Sequence, residues 1–149
     1  MTSPATLCDP EAERGVLSAA LEGVPLPPGL TVDHFTAAET RAAWRILAAA
    51  SANGPITLRS VSAEIRRVTR AANGPSPANC VGPAERAASA LARAIVEIRA
   101  CPAHVGPYAF RRLEGLRRRR AVSEALSEAL ALIYAGGTAE AVRAAIRAA

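Results

Sequence analysis

Apolar residues recur along this chain at intervals of three and four, in blocks separated by Gly, Pro and Asn. That period marks amphipathic helices, because 3.6 residues complete a turn and one stripe of side chains faces inward. Asp9-Pro10-Glu11-Ala12-Glu13 opens the first block, Val16, Leu17, Ala20 and Leu21. Asp9 is placed to cap, Pro10 suits the first helical position, and Glu11 and Glu13 complement the positive end of the dipole; Gly23 stops the helix. Residues 24–29 hold three prolines and read as a stiff, non-helical connector. Thr31 is placed to cap a single turn ending near Phe35. Thr36-Ala-Ala-Glu39 has the form of a capping box, which predicts a second long helix over about residues 37–52, closed by Asn53-Gly54. Its inward face would be Ala43, Trp44, Leu47 and Ala48.

A third helix begins at Thr57 or Leu58, with Val61, Ile65 and Val68 on one face and Arg59, Arg66, Arg67 and Arg70 off it. Residues 73–82, rich in Gly, Pro, Ser and Asn, read as a loop. Pro83 starts a helix carrying Ala87, Leu91, Ile95 and Ile98, which Pro102 ends. Residues 101–106 form a second loop. Pro107 starts the longest helix, running to about Ala135 and ended by Gly136-Gly137, and Thr138 caps a last amphipathic helix with Val142 and Ile146. No block asks for a strand, and no repeat of solenoid length is present. The pattern predicts an all-α single domain. Residues 1–8 would be a flexible N-terminus, residues 9–106 a compact helical globular part of about five helices, and residues 107–149 a C-terminal helical hairpin.

Composition narrows the picture. Half the residues are hydrophobic but 3% are aromatic, so the core must be Ala, Leu, Val and Ile, which suits closely packed helices better than a sandwich. No run approaches ~18 apolar residues, which excludes a transmembrane helix, and no membrane partner is expected. Residues 1–7 lack a basic start and an apolar run, so no secretion signal is read and a cytoplasmic location is expected. All 18 basic residues are Arg. The absence of Lys excludes Schiff-base chemistry, a lysine base and a Gly-x-x-x-x-Gly-Lys phosphate loop.

Charge is uneven. Residues 1–75 hold seven Arg against seven acids, whereas residues 107–120 hold six Arg against Glu114, which equals the chain's whole excess of +5. Arg117-Arg118-Arg119-Arg120 surrounds its helix at about 100° per residue, so at least one guanidinium faces inward and should meet a carboxylate, Glu114 or Glu124. The outward members, with Arg111, Arg112, Arg117 and Arg118 as the candidate contacts, offer a face for weak, non-specific DNA binding. No aromatic residues are interleaved for base stacking. On the same helix Leu113, Leu116, Val122, Leu126, Leu130 and Ile133 mark an apolar stripe that the Arg run interrupts.

Candidate chemistry is sparse. Cys8, Cys80 and Cys101 form no Cys-x-x-Cys pair and are expected as reduced thiols. Cys101-x-x-His104 with Cys80 falls short of the four ligands of a structural zinc, and Cys8 with His34 lacks an orienting third group. No catalytic residues, metal or cofactor are therefore expected. Phe35 and Trp44 are read as core anchors. Tyr108 and Phe110, two apart, cannot share a helix face, so one belongs in the core and the other outside.

The order of three signals carries a resemblance. The Asp9–Glu13 helix start, then Leu30-Thr31-Val32-Asp33-His34-Phe35 leading into Thr40-Arg41-Ala42-Ala43-Trp44-Arg45-Ile46-Leu47, then Gly54-Pro55-Ile56-Thr57-Leu58, resembles the amino-terminal domain of DnaB-type replicative DNA helicases. Tyr108-Ala109 and Arg119-Arg120-Ala121-Val122 sit where that family has Tyr-Ala and Arg-Arg patterns on its hairpin helix, and residues 138–148 match the second arm. The similarity spans roughly residues 9–148. The family's Gly-Gly-x-x-Tyr-Leu element has no counterpart around residues 82–91, and Gly106-Pro107 replaces its usual Asn.

The resemblance implies a helical body with a C-terminal hairpin that pairs into dimers and a ring collar able to recruit primase. The family's RecA-like ATPase domain is not in these residues, so the chain is expected to be no enzyme by itself. It would be a non-catalytic interaction or assembly domain linked to DNA replication, self-associating or docking primase or a full-length helicase. The alternative is a small basic DNA-binding protein using residues 107–120. Residues 138–149 span roughly 18 Å of helix against roughly 43 Å for residues 107–135, so one hairpin leaves apolar surface uncovered. Leu126, Leu130 and Ile133 are the candidate seam of a homo-oligomer.

Overall fold

Asp9 begins the fold as its chemistry predicts. In the computed structural model, which describes residues 8–73, 82–103 and 106–147, its carboxylate accepts the Ala12 N–H at 3.0 Å and α1 (Pro10–Leu21) follows, with Pro10 in its first turn. At the other end Val24 N–H reaches Ala19 O and Gly23 N–H reaches Ala20 O, the paired bonds of a glycine-terminated helix. Gly23 takes φ +92, a conformation that a side chain would strain. Nine of the twelve α1 residues are buried, among them Gly15, Ser18, Ala19 and Ala20, whose small size admits neighbours on several sides. This helix is the axle of the fold and packs on α2, α4 and α5.

A 3-10 turn (Val32–His34) leads into α2 (Ala38–Ala52), followed by α3 (Leu58–Asn73), α4 (Pro83–Arg99), α5 (Gly106–Tyr134) and α6 (Ala139–Arg147). The described residues are thus helical with no strand, in the predicted order and nearly with the predicted limits. Leu17, Leu47 and Leu113 are fully enclosed, and Val16, Ile46, Val61, Ile95 and Ile98 complete an aliphatic core. Phe35 is buried and stacks on half-buried Trp44 with ring centroids 5.7 Å apart, so both anchor the core. Ser18 hydroxyl donates to Cys101 O at 2.7 Å and ties the end of α4 to the axle.

Two local expectations are corrected. The capping box at Thr36–Glu39 does not form. The residue before α2 is Ala37, without a side-chain cap, and the free N–H groups there are taken by Glu13, from α1. Its carboxylate accepts Thr36 N–H at 2.8 Å, Ala37 N–H at 3.4 Å and the Thr36 and Thr40 hydroxyls. A fully buried carboxylate with four donors satisfies the helix start better than an exposed Thr hydroxyl would. The inward face of α2 is also rotated: Thr40, Ala43, Ile46, Leu47 and Ala50 are buried, while Trp44 and Ala48 lie at its edge. Thr40 must face inward to reach Glu13, and that turns the helix.

In α3 the predicted face fades outward, from buried Val61 through half-buried Ile65 to exposed Val68. The flexible start predicted over residues 1–8, apart from Cys8, the loop at 73–82 apart from its ends, and residues 104–105 of the second loop lie outside the described residues.

α5 does two jobs on opposite sides. Ala109, Leu113 and Leu116 are buried against the body, whereas Ala125 and Ala129 are buried in the half that packs on α6. Leu116 and Ala125 are nine residues apart, about half a turn out of phase at 100° per residue. The stripe read from Leu113 to Ile133, interrupted by the Arg run, therefore divides between two sides of the helix. Small Ala125, Ala129 and Ala145 close the α5–α6 pair, while Val122, Leu126, Leu130 and Ile133 remain about half exposed.

Candidate interaction surfaces

The hairpin is closed by its glycines. Gly136 takes φ +72, Gly136 N–H reaches Ile133 O and Gly137 N–H reaches Leu132 O at 2.8 Å. A Cβ on Gly137 would stand 2.9 Å from that same backbone oxygen, so the turn admits no side chain there. Thr138 then caps α6 through the Ala141 N–H at 3.3 Å. The turn holds α6 on the alanine face of α5, and the larger side chains are left beside it. Leu126, Leu130 and Ile133 retain 51%, 53% and 55% of their surface, and Tyr134 and Ile146 add to the exposed apolar area of the hairpin.

Where the hairpin joins the body, charge is organised around Glu114. His34 is enclosed; Thr31 N–H donates to its Nδ1 at 3.1 Å, which leaves the proton on Nε2, donated to Glu114 Oε2 at 2.7 Å. Arg117 and Arg118 reach the same carboxylate at 3.2 and 2.9 Å. Arg117 first, then His34 and Arg118, hold the Glu114 carboxyl down at about 2 against an ordinary 4.5. Arg112 pairs with the capping Asp9. Burial works against ionisation of Asp9, but the Ala12 N–H and Arg112 outweigh it and lower its pKa. Arg112 and Arg117 are raised in return.

Of the predicted nucleic-acid contacts, Arg112, Arg117 and Arg118 are thus ion-paired within the chain, while Arg111 is exposed and has no carboxylate partner among the described residues. The expectation that the Arg run turns inward onto an acid holds for Arg117 with Glu114. Arg120, also partly enclosed, donates to the Asp33 carbonyl at 2.7 Å. Tyr108 is exposed and Phe110 packs on the core 5.9 Å from the His34 ring, so the two divide as their spacing required.

Several residues at this junction escaped the sequence reading. Arg41 donates to the carbonyls of Phe35 and Thr36 at 3.0 and 2.8 Å, fixing the chain between the 3-10 turn and α2. With Arg45, Arg117 and Arg120 it lines a cleft of about 430 Å³, which Asp33, Glu124, Val32, Phe35 and Ala121 also border. Arg41 and Arg45 are four apart, one helical face, and that spacing was the available signal. Their meeting with Arg117 and Arg120 spans more than seventy residues and has no local trace.

Among the described residues no three His, Cys, Asp or Glu side chains converge as metal ligands, and no helix is long and apolar enough to cross a membrane. Cys80 and His104, considered with Cys101, lie outside the described residues, and His34 is committed to Thr31 and Glu114. No family model, no curated protein and no solved structure matches the chain.

Proposed function

We propose that this chain is a non-catalytic assembly domain that self-associates through the α5–α6 hairpin. The observation that carries the reading is the row Val122, Leu126, Leu130 and Ile133, four large apolar side chains left about half exposed on a hairpin whose own closure uses alanines. Full burial of a Leu or Ile stabilises by roughly 1.5–3 kcal/mol, so covering the remaining half of four such residues contributes roughly 3–6 kcal/mol before association costs. A second copy is the economical cover, because in a two-fold pair one self-complementary patch suffices. The resemblance to the helicase amino-terminal domain points the same way, since pairing of hairpins is that domain's role, and it connects the assembly to DNA replication with primase or a replicative helicase as the further partner.

Sedimentation over a micromolar concentration series tests the reading. The unaltered chain is expected to form dimers or larger species, and Leu126→Glu with Leu130→Glu to give a monomer of unchanged helical content. A wild-type chain that stays monomeric throughout defeats it. Recovery of primase or helicase with the tagged chain from its own host, lost with the same double substitution, would tie assembly to replication.

A further inference from the structure

The junction cleft supports a second role, on a surface separate from the exposed apolar row. Four guanidinium groups from two helices border it: Arg41 and Arg45 from α2, Arg117 and Arg120 from α5. Like charges gathered in one concavity repel, and an anion placed among them would relieve that repulsion. Backbone carbonyls steady two of the four. Arg41 is fixed by Phe35 O and Thr36 O, and Arg120 is fixed by Asp33 O. Arg117 is held from behind by Glu114. Each guanidinium has five N–H donors, so Arg41 and Arg117 keep donors beyond these bonds. Arg45 makes no hydrogen bond or ion pair with the described residues. Orientation by the fold means that little side-chain freedom is lost when an anion arrives.

Size and sign define the ligand. Against four Arg stand the carboxylates Asp33 and Glu124, leaving a local formal charge of +2 among the residues that border the cleft. That balance matches a phosphate monoester dianion. A nucleic-acid strand would bring its repeating charge against the two carboxylates. A volume of about 430 Å³ falls in the range of small-ligand sites. The two carboxylates, both exposed, offer acceptors to hydroxyl or amino groups on the ligand's body. Val32, Phe35 and Ala121 give the body an apolar border.

We propose that the cleft between the 3-10 turn, α2 and α5 binds a small phosphorylated ligand of the nucleotide class, with Arg41, Arg45, Arg117 and Arg120 on the phosphate and Asp33 and Glu124 on hydroxyl or amino groups of the body. Because the cleft joins body to hairpin, occupancy would also brace α5 against α2.

Calorimetric titration of the full chain with adenosine and guanosine 5′-monophosphates, inorganic phosphate and a short single-stranded oligonucleotide tests the assignment. At least one nucleotide is expected to bind saturably, more tightly than inorganic phosphate and with a shallow salt dependence. Arg45→Gln should weaken it about tenfold or more, the loss expected of a charge-assisted bond. Arg119→Gln, which removes the same charge away from the cleft, should leave it unchanged, and Leu126→Glu with Leu130→Glu should retain saturable nucleotide binding, which separates this result from the fate of the hairpin reading. Ala121→Trp, which fills the cleft without removing charge, should abolish binding in a chain whose circular dichroism is unaltered. No nucleotide binding at millimolar concentration overturns the proposal, as does binding indifferent to Arg45. Inorganic phosphate binding as tightly as the nucleotides overturns the nucleotide class. Oligonucleotide binding that is steep in salt, without nucleotide binding, would make the cleft a strand-backbone contact instead.

Discussion

Glu13 and Glu114 show how two carboxylates hold the body together through quite different chemistry. Glu13 is fully enclosed and serves donors from the start of α2. Removing it leaves Thr36 N–H, Ala37 N–H and the Thr36 hydroxyl without this acceptor at the start of α2, so Glu13→Ala should cost about 2–4 kcal/mol in urea unfolding. Glu13→Gln should cost less, because its amide oxygen keeps part of the acceptor role. Glu114 is reached by Arg117, His34 and Arg118, which lower its pKa to about 2. A folded-state value below the ordinary 4.5 means that its stabilisation is complete above that pH and disappears as pH falls through about 2. Unfolding free energy measured from pH 6 down to pH 2 should therefore decline across the lower part of that range. Glu114→Gln should be less stable at neutral pH and flatter in acid; an unaltered acid slope would contradict the assignment.

At the scale of elements the hairpin turn carries the consequence. Gly136 needs a positive φ and Gly137 needs the absence of a side chain, since any Cβ would press on Leu132 O. Gly136→Ala should cost about 1 kcal/mol. Gly137→Ala should do more, because the obstacle is backbone and cannot rotate away. The damage should be local: α6 has its extensive packing with α5, whereas α1 has its own contacts with α2, α4 and α5. Hydrogen exchange is the measurement, with α6 amides losing protection and α1 amides keeping theirs. Loss of protection throughout α1 would show that hairpin and body unfold as one unit.

For the whole molecule, the division of labour follows from α5. Its first half belongs to the body and its second half to the hairpin, on nearly opposite sides of one continuous helix. Whatever engages the exposed row therefore pulls on a helix that is rooted in the core at Leu113 and at the cleft through Arg117 and Arg120. This predicts a coupling. If a nucleotide braces α5 as proposed, its presence should stabilise the chain thermally, and it should shift the monomer–dimer balance in sedimentation by a measurable factor. A balance identical with and without nucleotide would mean that the two surfaces act separately. ATP turnover is expected to be absent, because the chain contains no Lys for a phosphate loop. Sustained phosphate release by the purified chain would refute that.

Helix number, order and limits were legible in the chain because the signals are local. Asp9 with Pro10 at one end of α1, Gly23 at the other, Pro83 before α4 and Gly136-Gly137 after α5 act on residues within a turn of themselves. The exclusion of a membrane-spanning helix and of lysine chemistry likewise follows from composition alone. The candidate seam was legible in part: Leu126, Leu130 and Ile133 were readable as an apolar row, but not as a row lying beside the packed face. That distinction depends on which side of α5 the small alanines offer to α6, a matter of close approach between two helices. The tertiary structure alone decided that Glu13 caps the next helix, that His34 meets Glu114 across eighty residues, and that Arg41 and Arg45 face Arg117 and Arg120. Charges and caps of that kind act through space over a few ångströms, and the order of residues along a chain does not record distance in space.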